Sequence, residues 1–201
     1  MVSEEHGDME EVDYGPLGEL PGTWVGDSGQ DVSPEPDGSE ESDFRETIVF
    51  DPIGMTDNAE SQELAALRYT RTVERKSNGR IFHNESGFLM WDAERGLVMQ
   101  ALAIPRGVCL MAGGPVRVEG DATVIELRAE LDGAEWPIAQ SPFMRDNART
   151  VAFDHTLRIS AGRLEYKQTT HLEIYDRHFD HTDSNRLLRG PLLAGGPPDD
   201  D

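Results

Sequence analysis

The sequence predicts an all-β protein, a single antiparallel up-and-down meander of about ten short strands closed into a barrel around a cavity. Three observations carry the prediction. Apolar and polar residues alternate with a period of two through most of the chain, as they do in a strand with one buried face. Turn residues recur at short intervals, as AERG, PRG, GGP, EGD and DGA, with Ser77-Asn78-Gly79 as a hairpin turn. Hardly any stretch carries the 3.6-residue period of a helix. Closing such a meander removes its exposed edges, and about eight to ten strands enclose room for a small ligand.

In order, Leu17 and Leu20 suit a short helical turn leading into a strand at Thr23 to Gly26. VSPEPDGSEES reads as a solvated connection, because Gly and Pro punctuate it. FRETIVFDPIG alternates as a strand and is expected to stop at Pro52 and Gly54. Gln62 to Leu67 could begin as a helix, and from Leu67 onward Leu67, Tyr69, Arg71 and Val73 share one parity of a strand. The return strand is RIFHNESGFLMWD, Arg80 to Asp92, with a polar middle between apolar ends. Further strands are LVMQALAI, VCLMA, VRVEG and TVIELRAEL. The last hairpin is the clearest: Val151, Phe153, His155, Leu157 and Ile159 share a face, as do Leu164, Tyr166, Thr170, Leu172 and Ile174, with Ser160 to Gly162 as the turn.

A chain of 201 residues is long enough for one domain with a continuous core. Charge is uneven. Of the formal net charge of −21, residues 1–43 carry −14, with 14 acidic and no Lys or Arg residues. The expected organisation is a disordered acidic leader at 1–14, the barrel at 15–190 and a disordered tail at 191–201. The acidity argues against nucleic acid and against anionic membrane surfaces as partners. MVSEEHGDMEE has neither a cationic nor an apolar targeting region, and no long apolar run occurs, so a soluble, cytoplasmic protein is expected. A homodimer is an assembly this reading admits. The single Cys109 excludes an intrachain disulfide and is read as a small core residue.

No dinucleotide fingerprint, phosphate loop, zincin motif or nucleophile elbow is present, which weakens most enzyme classes. The candidates are histidines. His155 lies on an apolar face and is most simply a core residue, and His171 has a solvent-facing parity. His178 and His181 fall in DRHFDHTDSN, read as lying past the last regular strand, where loops often hold functional groups. Asp180 or Asp183 could fix the tautomer of His181, making it a candidate metal ligand. The plainer alternative is a helix N-cap, with Thr182 or Asp183 capping SNRLLR. His83 shares its parity with Ile81, Glu85, Leu89 and Trp91, so an imidazole and a carboxylate would enter the cavity together. Two buried polar groups need partners or a polar ligand. Met90, Met99, Met111 and Met144 are read as core fillers, and Trp24, between Gly22 and Gly26, as a plug at one end of the barrel.

PLGELPGTWVGDSG, the strand HNESGF from His83 to Phe88, GRLEY from Gly162 to Tyr166, and a histidine shortly before the final LL together resemble nitrobindin and its relatives. Those proteins are antiparallel barrels of the lipocalin and fatty-acid-binding-protein (calycin) kind, and some bind ferric heme b at one end. The likeness runs from about Pro16 to Arg189. Gly22, Trp24 and Gly26 match the first three fixed positions of the family's G-x-W-x-G-x-G signature, which the resemblance implies to be part of the cofactor-binding fold. The fourth falls on Ser28, with Gly29 one place late. The resemblance implies that His83 faces the cavity near the heme's open side and that His181 is the proximal iron ligand, across an inserted residue. QDVSPEPDG replaces a tyrosine- and proline-containing segment, and IPRG with the following AGG is similar to a branch that lacks the iron-binding histidine.

What the resemblance implies about function is heme b, nitric oxide binding and isomerisation of peroxynitrite to nitrate at the iron, with no protein residue assigned as catalytic. An iron-free carrier or sensor of an apolar small molecule, anchored by His83 and Glu85, is the alternative. A third reading makes the barrel an interaction module acting through its acidic leader.

Overall fold

In the computed structural model the described residues are 12–190, so the tail and nearly all of the expected leader lie outside them. A 3-10 turn at Gly15–Leu17 precedes eleven strands: β1 Gly22–Glu35, β2 Gly38–Ala59, β3 Gln62–Arg75, β4 Ile81–Asp92, β5 Leu97–Ile104, β6 Val108–Glu119, β7 Ala122–Glu130, β8 Ile138–Gln140, β9 Ala148–Ser160, β10 Arg163–Ile174 and β11 Arg177–Arg189. One short helix, α1 Pro142–Asn147, enters β9. Consecutive strands pair antiparallel from β1 to β7 and from β9 to β11, β7 pairs with β9, and β11 pairs back onto β1. Ten strands thus close into the expected up-and-down barrel, and the short β8 is extra, lying beside the first half of β6 where β7 no longer pairs with it.

Several local expectations change because pairing partners decide them. VSPEPDGSEES is not a solvated connection. It completes β1 and begins β2, with Pro34 opposite Ser39 and Glu35 opposite Gly38, so the turn needs only Pro36 and Asp37. Pro52 and Gly54 do not end β2; they shift its register against β3, and Gly54 takes φ 92°. Gln62 to Leu67 is strand, held between β2 and β4. His178 and His181 lie inside β11, and SNRLLR is strand rather than a capped helix. Cys109 is exposed between buried Val108 and Leu110, since alternation in VCLMA turns it outward. Of the four methionines only Met144 is buried, because Met90, Met99 and Met111 take the outward parity of their strands.

The two ends of the barrel differ. At one, Leu17, Leu20 and Trp24 are fully buried, and the Trp24 indole donates to the Leu20 carbonyl at 2.7 Å. Trp24 is thus the expected plug. A Cβ on Gly26 would stand 2.6 Å from Asn185 Nδ2 and 2.9 Å from the Arg186 carbonyl, so the close approach of β1 and β11 requires glycine there. The other end is open. Among the described residues, no helix is long and apolar enough to cross a membrane.

Candidate functional site

Alternation on β3, β4, β10 and β11 turns polar side chains as well as apolar ones into the barrel, and these meet about Arg71 of β3. Its guanidinium donates from Nε to Glu46 Oε2 at 2.8 Å, and from Nη2 to Asp183 Oδ1 at 2.7 Å and Tyr166 Oη at 2.5 Å. Glu85 Oε2 stands 3.8 Å from Nη1. Asn185 donates to the other Glu46 oxygen at 2.9 Å, and Gln168 Nε2 to Asp183 Oδ2 at 3.1 Å. All of these residues are buried. Burial disfavours a cation, but the surrounding phenol and carboxylates outweigh it and hold the Arg71 pKa above its ordinary value.

A second chain of hydrogen bonds runs into this layer. Gln100 Nε2 donates to Tyr69 Oη at 2.8 Å, and Tyr69 donates to Glu85 Oε1 at 2.5 Å. At the far end His155 Nδ1 lies 2.9 Å from Gln100 Oε1, which accepts its proton. Burial pushes the His155 pKa down to about 4, so the imidazole is neutral at pH 7. Burial alone would raise Glu85, yet the His83 bond, the Arg71 charge and the Tyr69 hydroxyl bring it down to about 2. The layer therefore combines the ionised Glu85 carboxylate, one guanidinium and a neutral histidine. Beneath it Tyr69, Gln100, His155 and Tyr166 border a void of about 20 Å³, room for about one water.

Above the layer the barrel opens into a cavity of about 1350 Å³. Phe44, Phe82, Leu102, Leu110, Phe153 and Leu172 give it apolar walls, while Arg71, Glu85, Gln168 and Asp183 form part of its floor. His83 and His181 both line it. His83 Nε2 is 3.4 Å from Glu85 Oε2. His181 Nε2 is 2.7 Å from Oδ1 of the buried Asp31, the residue that fixes its tautomer in place of Asp180 or Asp183. Burial lowers the His181 pKa, but Asp31 and Asp183 outweigh it and raise it above the ordinary value. The Gln168 Oε1 acceptor is buried without a hydrogen-bond partner.

The structure therefore brings His83, Glu85 and His181 to one cavity. Gly22, Trp24 and Gly26 lie at the packed end and do not line it. His155 belongs to the layer beneath, and His171 points outward from β10. Sequence reading missed Glu46 and Arg71 as site residues, although the inward parity of Arg71 between Tyr69 and Val73 was a usable signal.

Residues 13–189 match the family of THAP4-like, heme-binding β-barrel domains. The chain belongs to this family. The nitrobindin-like resemblance read from the sequence is thereby borne out, and ligand binding in the barrel is the role this membership supports. Among solved structures, that of Rv2717c from M. tuberculosis is similar over 87% of this chain and 95% of the other, with a TM-score of 0.66 and 24% identity, a likeness of fold. No curated protein matches the sequence.

Proposed function

We propose that this member of the family binds heme b in the open cavity, with His181 as the iron ligand and His83 lining the same pocket. One observation carries the reading: His181 is anchored through Nε2 to the buried Asp31 carboxylate, while among the described residues Nδ1 has no hydrogen-bond partner. A ring with one nitrogen tied to a carboxylate and the other unengaged is the usual arrangement of a metal-ligating histidine. The donor set and the apolar walls therefore fit the group. Bound heme would supply a ferric centre for binding nitric oxide and converting peroxynitrite to nitrate. The protein's own part is to orient His181 through Asp31, to keep the macrocycle dry with Phe44, Phe82, Leu102 and Phe153, and to place the His83 imidazole at the pocket. Such a protein is a small-molecule binder in the cytoplasm, needing neither nucleic acid nor membrane.

Gln168 Oε1 favours a second reading. An unpartnered acceptor beside Asp183 and Glu85 suits an iron-free carrier of an apolar molecule whose head group donates hydrogen bonds. Hemin titration of the untagged protein separates the two. The heme reading expects a Soret band saturating at one heme per chain, weakened at least about tenfold in Asp31→Asn, a loss typical of carboxylates behind a ligating histidine, and abolished in His181→Ala. Saturation unchanged in His181→Ala removes the ligand assignment. No Soret change, with displacement of a fluorescent long-chain amine, supports the carrier.

A further inference from the structure

On the outer wall of the barrel at the cavity rim, β9, β10 and β11 bring together a cluster of side chains that takes no part in the polar layer, with His178 at the edge of the cavity itself. His171 stands opposite Asp180 in the β10–β11 register, and Glu173 stands opposite His178. Asp180 Oδ1 lies 2.7 Å from His171 Nδ1 and 2.8 Å from His178 Nε2, so one carboxylate oxygen sits between two imidazole nitrogens. The imidazole rings stack with centroids 6.0 Å apart. Behind His171, Asp154 of β9 takes its other nitrogen, Nε2, at 2.8 Å.

We propose that His171 Nδ1, His178 Nε2 and Asp180 form a binding site for a divalent transition-metal ion of the zinc, cobalt or nickel type. Imidazole nitrogens with a single carboxylate select borderline metals over calcium or magnesium, which prefer all-oxygen shells. One ligand atom from each residue lies within 4.8 Å of the others. A tetrahedral shell with bonds of about 2.0–2.1 Å needs separations near about 3.4 Å. Exposed side chains at strand ends reach that spacing by rotation alone: the side chains of His178 and Asp180 are 59% and 54% exposed. Without the ion both nitrogens of His171 donate, Nδ1 to Asp180 and Nε2 to Asp154. An incoming ion displaces the Nδ1 proton to solvent and takes that lone pair, while Asp154 keeps the proton on Nε2, the position a carboxylate takes behind a ligating histidine. Charge agrees: Arg149 is paired with Glu173 at 3.3 Å and Arg128 stands 4.0 Å from Asp154, and among the described residues no Lys or Arg is paired with Asp180.

Three protein ligands leave a fourth position for water or an incoming group. The site also braces the cavity rim. The β10–β11 turn is made by Tyr175 and Asp176, both left-handed at φ 53° and 58°, a conformation that non-glycine residues hold at a cost. An ion joining His171 to His178 would clamp the strands on either side of that turn.

Isothermal titration of zinc chloride into the untagged, chelator-treated full chain is the test, with cobalt chloride as a visible reporter. The expected result is one ion per chain in the micromolar range. Affinity should fall at least tenfold in His178→Ala and in Asp180→Asn, and stay unchanged in His181→Ala. Both former side chains are exposed, and circular dichroism checks that the variants fold. The proposal is overturned by the absence of saturable binding. It is equally overturned by binding that survives His178→Ala, which would place the ion elsewhere, or by binding lost in His181→Ala, which would place it in the cavity.

Discussion

Replacing Arg71 by methionine is expected to lower the unfolding free energy by about 3–5 kcal/mol, the cost of stripping one partner from a buried ion network. The guanidinium lies between Glu46 and Asp183 at hydrogen-bond distance, with Glu85 at 3.8 Å, and the side chains of Glu46 and Glu85 are 0% and 3% exposed. Methionine fills most of the space but cancels none of the charge, so these carboxylates would stand together in a medium where like charges repel strongly. The double variant Arg71→Met with Glu46→Gln should recover part of the loss, because one buried charge is then gone. Urea unfolding at pH 7 reads both. A loss under about 1 kcal/mol, at the level of an exposed pair, would show that water reaches this layer and that the network does not hold the barrel together.

The second large effect is an acid limb in stability. His155 has a folded pKa of about 4 against an ordinary 6.5, so between those values the unfolded chain binds a proton that the folded chain refuses. Stability contributed by the neutral imidazole is full above pH 6.5 and falls as pH drops toward 4, by about 3–4 kcal/mol from roughly 2.5 pKa units at about 1.4 kcal/mol each. Glu85 acts lower. Its folded pKa of about 2 lies below the ordinary 4.5, so its contribution is full above pH 4.5 and is lost toward pH 2, again by about 3–4 kcal/mol. Acidification also relieves the self-repulsion of a chain with net charge −21, which acts in the opposite direction. The informative quantity is therefore the difference between variant and parent. Urea midpoints measured from pH 8 to pH 3 should show a flatter limb between 6.5 and 4 in His155→Asn, and a flatter limb below 4.5 in Glu85→Gln. Curves parallel to the parent across both windows would mean that neither group carries the linkage.

Much of this barrel is legible residue by residue. Alternation around His83, Glu85 and Leu89 shows that one face of β4 goes inward, and the structure puts Glu85 and Leu89 in the interior with His83 at the cavity. Asn78-Gly79 marks its turn, and Gly79 does adopt φ 69°. Local composition misled where it spoke only of turns. Pro34, Pro36 and Pro52 signal breaks, yet a hairpin needs two turn residues and a sheet tolerates proline at a shift of register, so β1 and β2 run on. Cys109 and the outward methionines were misplaced because an apolar run in a strand still sends every second side chain outside.

The sequence by itself determined the strand period, the turns, the inward parity of Arg71, His83, His155 and Tyr166, and enough of a family pattern to name the barrel. Only the tertiary structure decided which polar groups meet. Arg71 reaches Asp183 across 112 residues of sequence, and His181 finds Asp31 across 150. Those pairs exist because β11 returns to β1 and closes the ring. Alternation assigns a side chain to a face, whereas closure and register assign its partner.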